Sequence, residues 1–274
     1  MEYLMTYGWA ILIIAVVLSV LFQLGVFSSG NFQPHAQAGS CQVSSTAAGK
    51  SLEGQCNGML PQYVASFSGT TSSYIYANAA SLPTGSAART ITAWVYINAP
   101  GSNLGVAGWG SVSSEEVSDL GEYPSTNVYF WEQGPDCTNG PTIPTKTWAF
   151  IAVTYATGAT TATLYSDSNS QSGCSMSALN TPSGTQLYIG NGPSNSWPFG
   201  GQIANIQIYN TSLSSSEIQA LYLEGIGGAP IRPQNIVGWW PLNGNANDYS
   251  GNGNNGQLNG VTFSSSWEGS YTAP

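Results

Sequence analysis

Charge is what this chain has least of. Of its 274 residues four are Lys or Arg and thirteen Asp or Glu, so 6% are charged and the net charge is −9. Ordinary soluble domains carry about 25%. With so few cations no surface can neutralise a phosphate backbone, which excludes nucleic acid as a partner. The surface must instead be built from Ser, Thr, Asn, Gln and Gly, under a weakly acidic potential. Few titratable groups also leave little of the fold for pH to act on. Histidine is nearly missing: His35 is the only one, and a Ser-His-Asp or Cys-His apparatus would need it to fold back from a small-residue stretch. The four cysteines, Cys41, Cys56, Cys137 and Cys174, include no C-x-x-C pair, which argues against zinc and thioredoxin-like chemistry.

What is present excludes disorder. Aromatic residues make up 12% of the chain, more apolar surface than disordered segments carry. Four cysteines allow three pairings, and local loop length favours Cys41–Cys56 with Cys137–Cys174, disulfides that need an oxidising compartment. The N-terminal stretch from Trp9 to Phe27 is almost wholly apolar, with only Ser19 and Gln23 polar. Counted from Tyr7 it offers about 20 residues, enough helix to cross a bilayer core. A helix apolar on all sides belongs in lipid or inside a bundle of other helices. It lacks the basic n-region and cleavage site of a secretory signal. Residues 28–40, with Pro34 and small residues, form a linker, so the expected organisation is 1–27 helix, 28–40 linker, 41–274 outer domain.

From about Tyr63 the chain has strand character: short runs of Val, Ile, Thr and aromatics between Gly/Pro/Asn/Ser clusters. The expected strands are 62–68, 73–76, 89–97, 127–132, 147–155, 160–166, 186–190 and 202–209. A single short helix is expected after Ser214, where a Ser cap precedes Glu217, with Gly225 ending it. Together these predict a mainly β, two-sheet jelly-roll sandwich with one short helix behind a long N-terminal hydrophobic helix.

Two resemblances follow from particular residues. The run MEYLMTYGWAILIIAVVLSVLFQLGVF resembles the N-terminal segment of archaeal type IV pilin-like proteins. The resemblance implies helical homo-oligomerisation into a filament through Glu2, Tyr3, Tyr7 and Trp9, with Glu2 pairing a neighbour's terminal amine. It also implies residence in the membrane before assembly, and a prepilin peptidase as partner if a leader precedes Met1. The second is carried by Ala65-Ser66-Phe67-Ser68-Gly69, Ile91-Thr92-Ala93-Trp94-Val95, Trp148–Tyr155, Leu187–Gly190 and Phe199–Asn210, which are similar to landmarks of concanavalin A-like, laminin-G-like domains. In that family the segment resembling 238–263 normally opens the domain, so a circular permutation is expected.

Functional candidates are few. Glu116, Asp119 and Glu122 echo the paired carboxylates of related glucanases, but their three-by-three spacing sends neighbours to opposite faces of a strand and Gly121 favours a loop, so no enzyme is expected. Asp248 and Asn252, among the amides of 243–254, are candidates for one structural Ca²⁺ against a plain reading as Asn-Gly turns; no cofactor is required. Trp109, Trp131 and Trp197 fall in or beside expected loops and are candidate carbohydrate platforms, whereas Trp94, Trp148 and Trp240 belong to the core. Asn210 heads the N-x-[ST] sequon Asn210-Thr211-Ser212. The expectation is an extracellular, cell-surface filament subunit with an adhesive, glycan-contacting domain; the alternative is a single-pass, membrane-anchored lectin-like protein that does not polymerise.

Overall fold

The structure is a computed structural model that describes residues 60–99, 103–124, 126–193 and 195–274, with the backbone of two short strands at 41–44 and 51–54. The N-terminal helix and Glu2, Tyr3, Tyr7, Trp9 and His35 lie outside the described residues.

Strands β1 (Cys41–Ser44) and β2 (Ser51–Gly54) form a two-stranded ladder of their own. The sandwich begins with β3 (Val64–Ser68), β4 (Tyr74–Asn78), β5 (Arg89–Ile97), β6 (Leu104–Gly110), β7 (Val117–Tyr123) and β8 (Asn127–Trp131). It continues with β9 (Trp148–Tyr155), β10 (Thr161–Ser166), β11 (Asn169–Ser175), β12 (Gln186–Ile189) and β13 (Gly200–Tyr209). Helix α1 (Ser215–Leu223) and strands β14 (Ile236–Trp240), β15 (Gln257–Asn259) and β16 (Thr262–Ser264) complete it. One sheet has the order β11-β10-β9-β5-β13-β3-β16, with β14 pairing the far end of β13; the other runs β15-β4-β12-β6-β7-β8. Every pairing is antiparallel.

Alternation explains the layering. On β5, Ile91, Ala93, Val95 and Ile97 enter the core between the sheets, while Trp94 enters a second cluster on the sheet's far face. That cluster gathers Trp148, Phe150, Tyr209, Trp239 and Trp267 beneath α1 and the C-terminal residues. The eight-stranded sheet is therefore buried on both faces, as the two-sided apolar character of 89–97 foretells. Trp94, Trp148 and Trp240 are core residues at 2%, 5% and 0% exposure.

Helix α1 starts at a capping box: Ser214 Oγ accepts from the Glu217 amide and Glu217 Oε2 accepts from the Ser214 amide. This satisfies two end donors that would otherwise be orphaned. Glu217 also pairs with Arg232, and Gly225 at φ +79° follows the cap. The C-terminal strands pair within the chain: β15 with β4, β16 with β3. The Tyr63 amide donates to Asn243 Oδ1 at 2.8 Å, so the start of the sandwich lies against its closing segment.

Cys137 and Cys174 form a disulfide with Cα atoms 5.5 Å apart. Cys137 is bridged to Phe130 of β8 and Cys174 lies on β11. The bond thus staples an edge of one sheet to an edge of the other. Cys41 opens β1 opposite Gly54; Cys56 lies outside the described residues.

Candidate functional site

The six-stranded sheet differs from its partner in one respect that matters for function: its outer face is only half covered. Because Ile75, Ala77, Leu187 and Ile189 point into the core, alternation turns Tyr74, Tyr76 and Tyr188 outward. Register then aligns a row across all six strands. Gln257 pairs with Tyr76, Tyr76 with Tyr188, Tyr188 with Gly108, Gly108 with Asp119, and Asp119 with Trp131. Five strand spacings make this row about 24 Å long.

Its open end is a tyrosine platform. The rings of Tyr74 and Tyr188 are 5.8 Å apart and those of Tyr74 and Tyr76 are 6.1 Å apart. Tyr76 Oη donates to Gln257 Oε1 at 2.6 Å and Tyr188 Oη to Gln186 Oε1 at 3.1 Å. A groove of about 380 Å³ borders the platform, lined by Tyr76, Asn78, Thr185, Gln186, Asn255 and Gln257. Flat half-exposed rings ringed by amides suit the apolar face and hydroxyl edge of a sugar.

The other end is roofed by the loop that follows β12. Asn191, fully buried, accepts from the Gly192 and Trp197 amides at 2.9 and 3.0 Å, and the Gly105 amide donates to Trp197 O at 2.9 Å. These bonds hold Trp197 across the sheet, its ring centroid 3.6 Å from that of Trp131 and 6.2 Å from that of Tyr129. Gly108 supplies the floor, since a Cβ there would sit 2.5 Å from Asp119 Cγ.

Carboxylates gather at this roofed end. Asp119 is 1% exposed, and neither side-chain oxygen has a hydrogen-bond partner among the described residues. Burial holds its pKa well above the ordinary carboxylate range. Glu132, also buried, accepts from the Ser177 amide at 2.7 Å. Burial, with like charge from Asp136 and Glu115, pushes it up to about 7. Asp136 accepts from the Glu132 and Gly134 amides and from Tyr129 Oη.

The family model of the Concanavalin A-like lectin/glucanases superfamily matches residues 68–219, more than half of the chain. The chain belongs to that superfamily. As a member of the concanavalin A-like superfamily it resembles a Bacteroides ovatus protein provisionally assigned to carbohydrate binding, at 16% identity and TM-score 0.55 over 75% of this chain and 60% of that one. It spans, then, about three fifths of that protein's length. It is also similar to the heptameric SAP-like pentraxin of Limulus polyphemus (12% identity, TM-score 0.46, 73% and 94% covered). Domain 4 of an extracellular arabinanase of Geobacillus stearothermophilus, solved with arabinotriose, gives 16% identity and TM-score 0.44 over 70% and 90%. At these identities the likeness concerns the fold. No curated protein matches the chain.

The superfamily fold sorts the sequence candidates. Trp109 is not a loop platform: it lies on β6 with no exposed surface, donates Nε1–H to Pro83 O at 3.0 Å and packs under the Arg89 guanidinium. Trp131 ends β8, and Trp197 stands on the roofing loop; the two meet. Residues 117–123 form β7 rather than a loop. On it Asp119 faces outward beside Trp131, and Glu122 inward beside Val128, so the two do not form a glycosidase pair on one face. Asp248 does not fit calcium: Oδ1 accepts from the Trp239 and Ser250 amides, Oδ2 from Ser250 Oγ and the Asn254 amide. Asn252 turns its NH₂ to Val237 O and Ser250 Oγ. The segment is an Asx-turn scaffold. Asn210 is exposed just after β13, its amide donating to Asn235 O.

Sequence reasoning missed Tyr74, Tyr76 and Tyr188. The signal was the tyrosines alternating with Ile75, Ala77, Leu187 and Ile189.

Proposed function

We propose that the sandwich is a glycan-binding domain, and that its ligand lies along the outer face of the six-stranded sheet. The observation that supports this best is the continuous row from Gln257 through Tyr76 and Tyr188 to Trp131, whose tyrosine end is left uncovered among the described residues. Tyr76→Ala and Tyr188→Ala each weaken binding to an oligosaccharide panel at least tenfold without shifting the melting temperature by more than a few degrees. Unchanged binding in both variants removes this face from consideration.

The domain is carried at the cell surface by the Met1–Phe27 segment, as a type IV pilin-like filament subunit. Support for that part of the reading is the sequence resemblance and the Cys137–Cys174 disulfide, which fits an oxidising exterior. Among the described residues no helix is long and apolar enough to cross a membrane; Met1–Phe27 lies outside them. In this reading Glu2→Ala blocks assembly while leaving the sandwich folded, and Asn210 is the place for an N-linked sugar. Shearing cells that express the chain and imaging the released material separates the two anchoring modes. Filaments containing it support the subunit role; single particles confined to the membrane fraction support a non-polymerising anchored lectin.

A further inference from the structure

The roofed end of the row has a chemistry of its own. Three aromatic rings, Tyr129, Trp131 and Trp197, surround a carboxyl that has no hydrogen-bond partner among the described residues. A Cβ on Gly192 would lie 3.0 Å from Asp119 Oδ2 and 2.9 Å from Trp197 Cε3, which puts oxygen and ring within about 6 Å of each other, the range of a cation–π contact. Among the described residues no cation serves the site. Arg89 is held in the core by Thr181 Oγ1 and the carbonyls of Gly85 and Ala87. Arg232 pairs with Glu217, and Lys146 sits in the turn before β9, on the other sheet. The other titratable neighbours are Tyr129, whose hydroxyl is turned to Asp136, and behind it Glu132 and Glu115. Among the described residues every charge near the cluster is therefore negative, and the uncharged walls are aromatic rings, glycine and Val117.

We propose that Asp119, Tyr129, Trp131 and Trp197 form a subsite for an ammonium group, delivered by an amino sugar at one end of the bound glycan. This rests on the glycan-binding reading of the sheet face and adds the class of sugar. Aromatic faces attract a cation through the ring quadrupole, and a buried carboxylate supplies the counter-charge that a neutral sugar does not need. Trp197 is the one half-exposed member of the box, and its indole occupies the entry. Binding requires that ring to swing on its side-chain torsions, a rotamer change of the ordinary kind.

The test is calorimetric titration of the full chain with three trisaccharides: glucosamine, N-acetylglucosamine and glucose. The expected result is a glucosamine affinity ten- to a hundredfold above the other two, with Asp119→Asn reducing it to theirs. Equal affinities overturn the ammonium subsite and leave the glycan reading standing; no binding of any of the three overturns both. A preference that survives Asp119→Asn overturns the assignment to this carboxyl. Should that variant fail to fold, the permanently charged N-trimethyl trisaccharide gives a second reading on the unaltered chain. Its affinity rises with pH above the ordinary carboxylate range as Asp119 gives up its proton, and a flat profile overturns the proposal.

Discussion

Asp119→Asn is also expected to change stability, and in an unusual direction. In the unfolded chain this carboxyl ionises around 3.8, whereas burial in the fold holds its pKa well above that. Between the two values the folded state keeps a proton that the unfolded state has lost. Stability must therefore fall as pH rises through that window, by about 1.4 kcal/mol per pH unit. Below it both states are protonated and the penalty vanishes. Asparagine has the same shape and no charge; its amide brings a pH-independent cost of about 1–3 kcal/mol if its donors stay unpaired.

The gap between variant and wild type is thus the informative quantity. At pH 4 the variant is equal or less stable; with each unit above that it gains on the wild type. For a sandwich of this size 1 kcal/mol is about 2–4 °C, so the gain is about 3–6 °C per unit until the wild-type carboxyl ionises. Thermal melts of both proteins at pH 4, 5.5, 7 and 8 measure it. A constant offset across that range would falsify the reasoning, since it would mean that Asp119 ionises in the fold as freely as outside it.

Glu132→Gln follows the same sign over a narrower window. With its pKa raised to about 7 from 4.5, the wild type loses stability from about pH 4.5 to pH 7, and the variant's melting temperature is flatter there. Reducing Cys137–Cys174, which closes a loop with a sequence separation of 37, costs about 3–4 kcal/mol by chain entropy; calorimetry with and without reductant should show a fall of roughly 10 °C. Trp109→Ala leaves a cavity under Arg89 and destabilises by about 3–5 kcal/mol, read from urea midpoints; a stable variant that merely binds sugar less would refute its place in the core. Gly108→Ala puts a methyl 2.5 Å from Asp119 Cγ and costs about 1–3 kcal/mol, and a neutral effect would show that the carboxyl is free to move away.

The residues that make ordinary strands were legible in the sequence. Arg89–Ile97 is bounded as expected, and β9, β10, β12 and β13 lie within two residues of their expected limits, because β-branched and aromatic side chains alternate along them. The capping box at Ser214 was equally plain. What was hidden is β6 and β7, LGVAGWG and VSDLGEY. Their glycines and acids argue for loops, yet close packing demands them: Gly108 makes room for the Asp119 carboxyl, and a Cβ on Gly121 would meet Leu104 O at 2.2 Å. The short closing strands β15 and β16 have too few residues to show a period. Low charge suggested that pH would matter little, but a buried carboxyl matters by its environment rather than by its number.

The same residues that hid the strands mark the site, and the coincidence has a physical cause. A sheet face that receives a ligand must be flat where the ligand lies and must hold polar groups without satisfying them internally. Flatness requires glycine, which weakens strand propensity; unsatisfied acids cost stability. The opposite sheet shows the alternative solution, with Trp94, Trp148 and Trp239 packed beneath α1 and almost no buried charge on its outer face. In a chain with only thirteen acids, the burial of Asp119 on β7 and of Glu132 just past β8 runs against folding stability. Local strain of this kind persists where function uses it. The roofed end of the tyrosine row is where this fold keeps it.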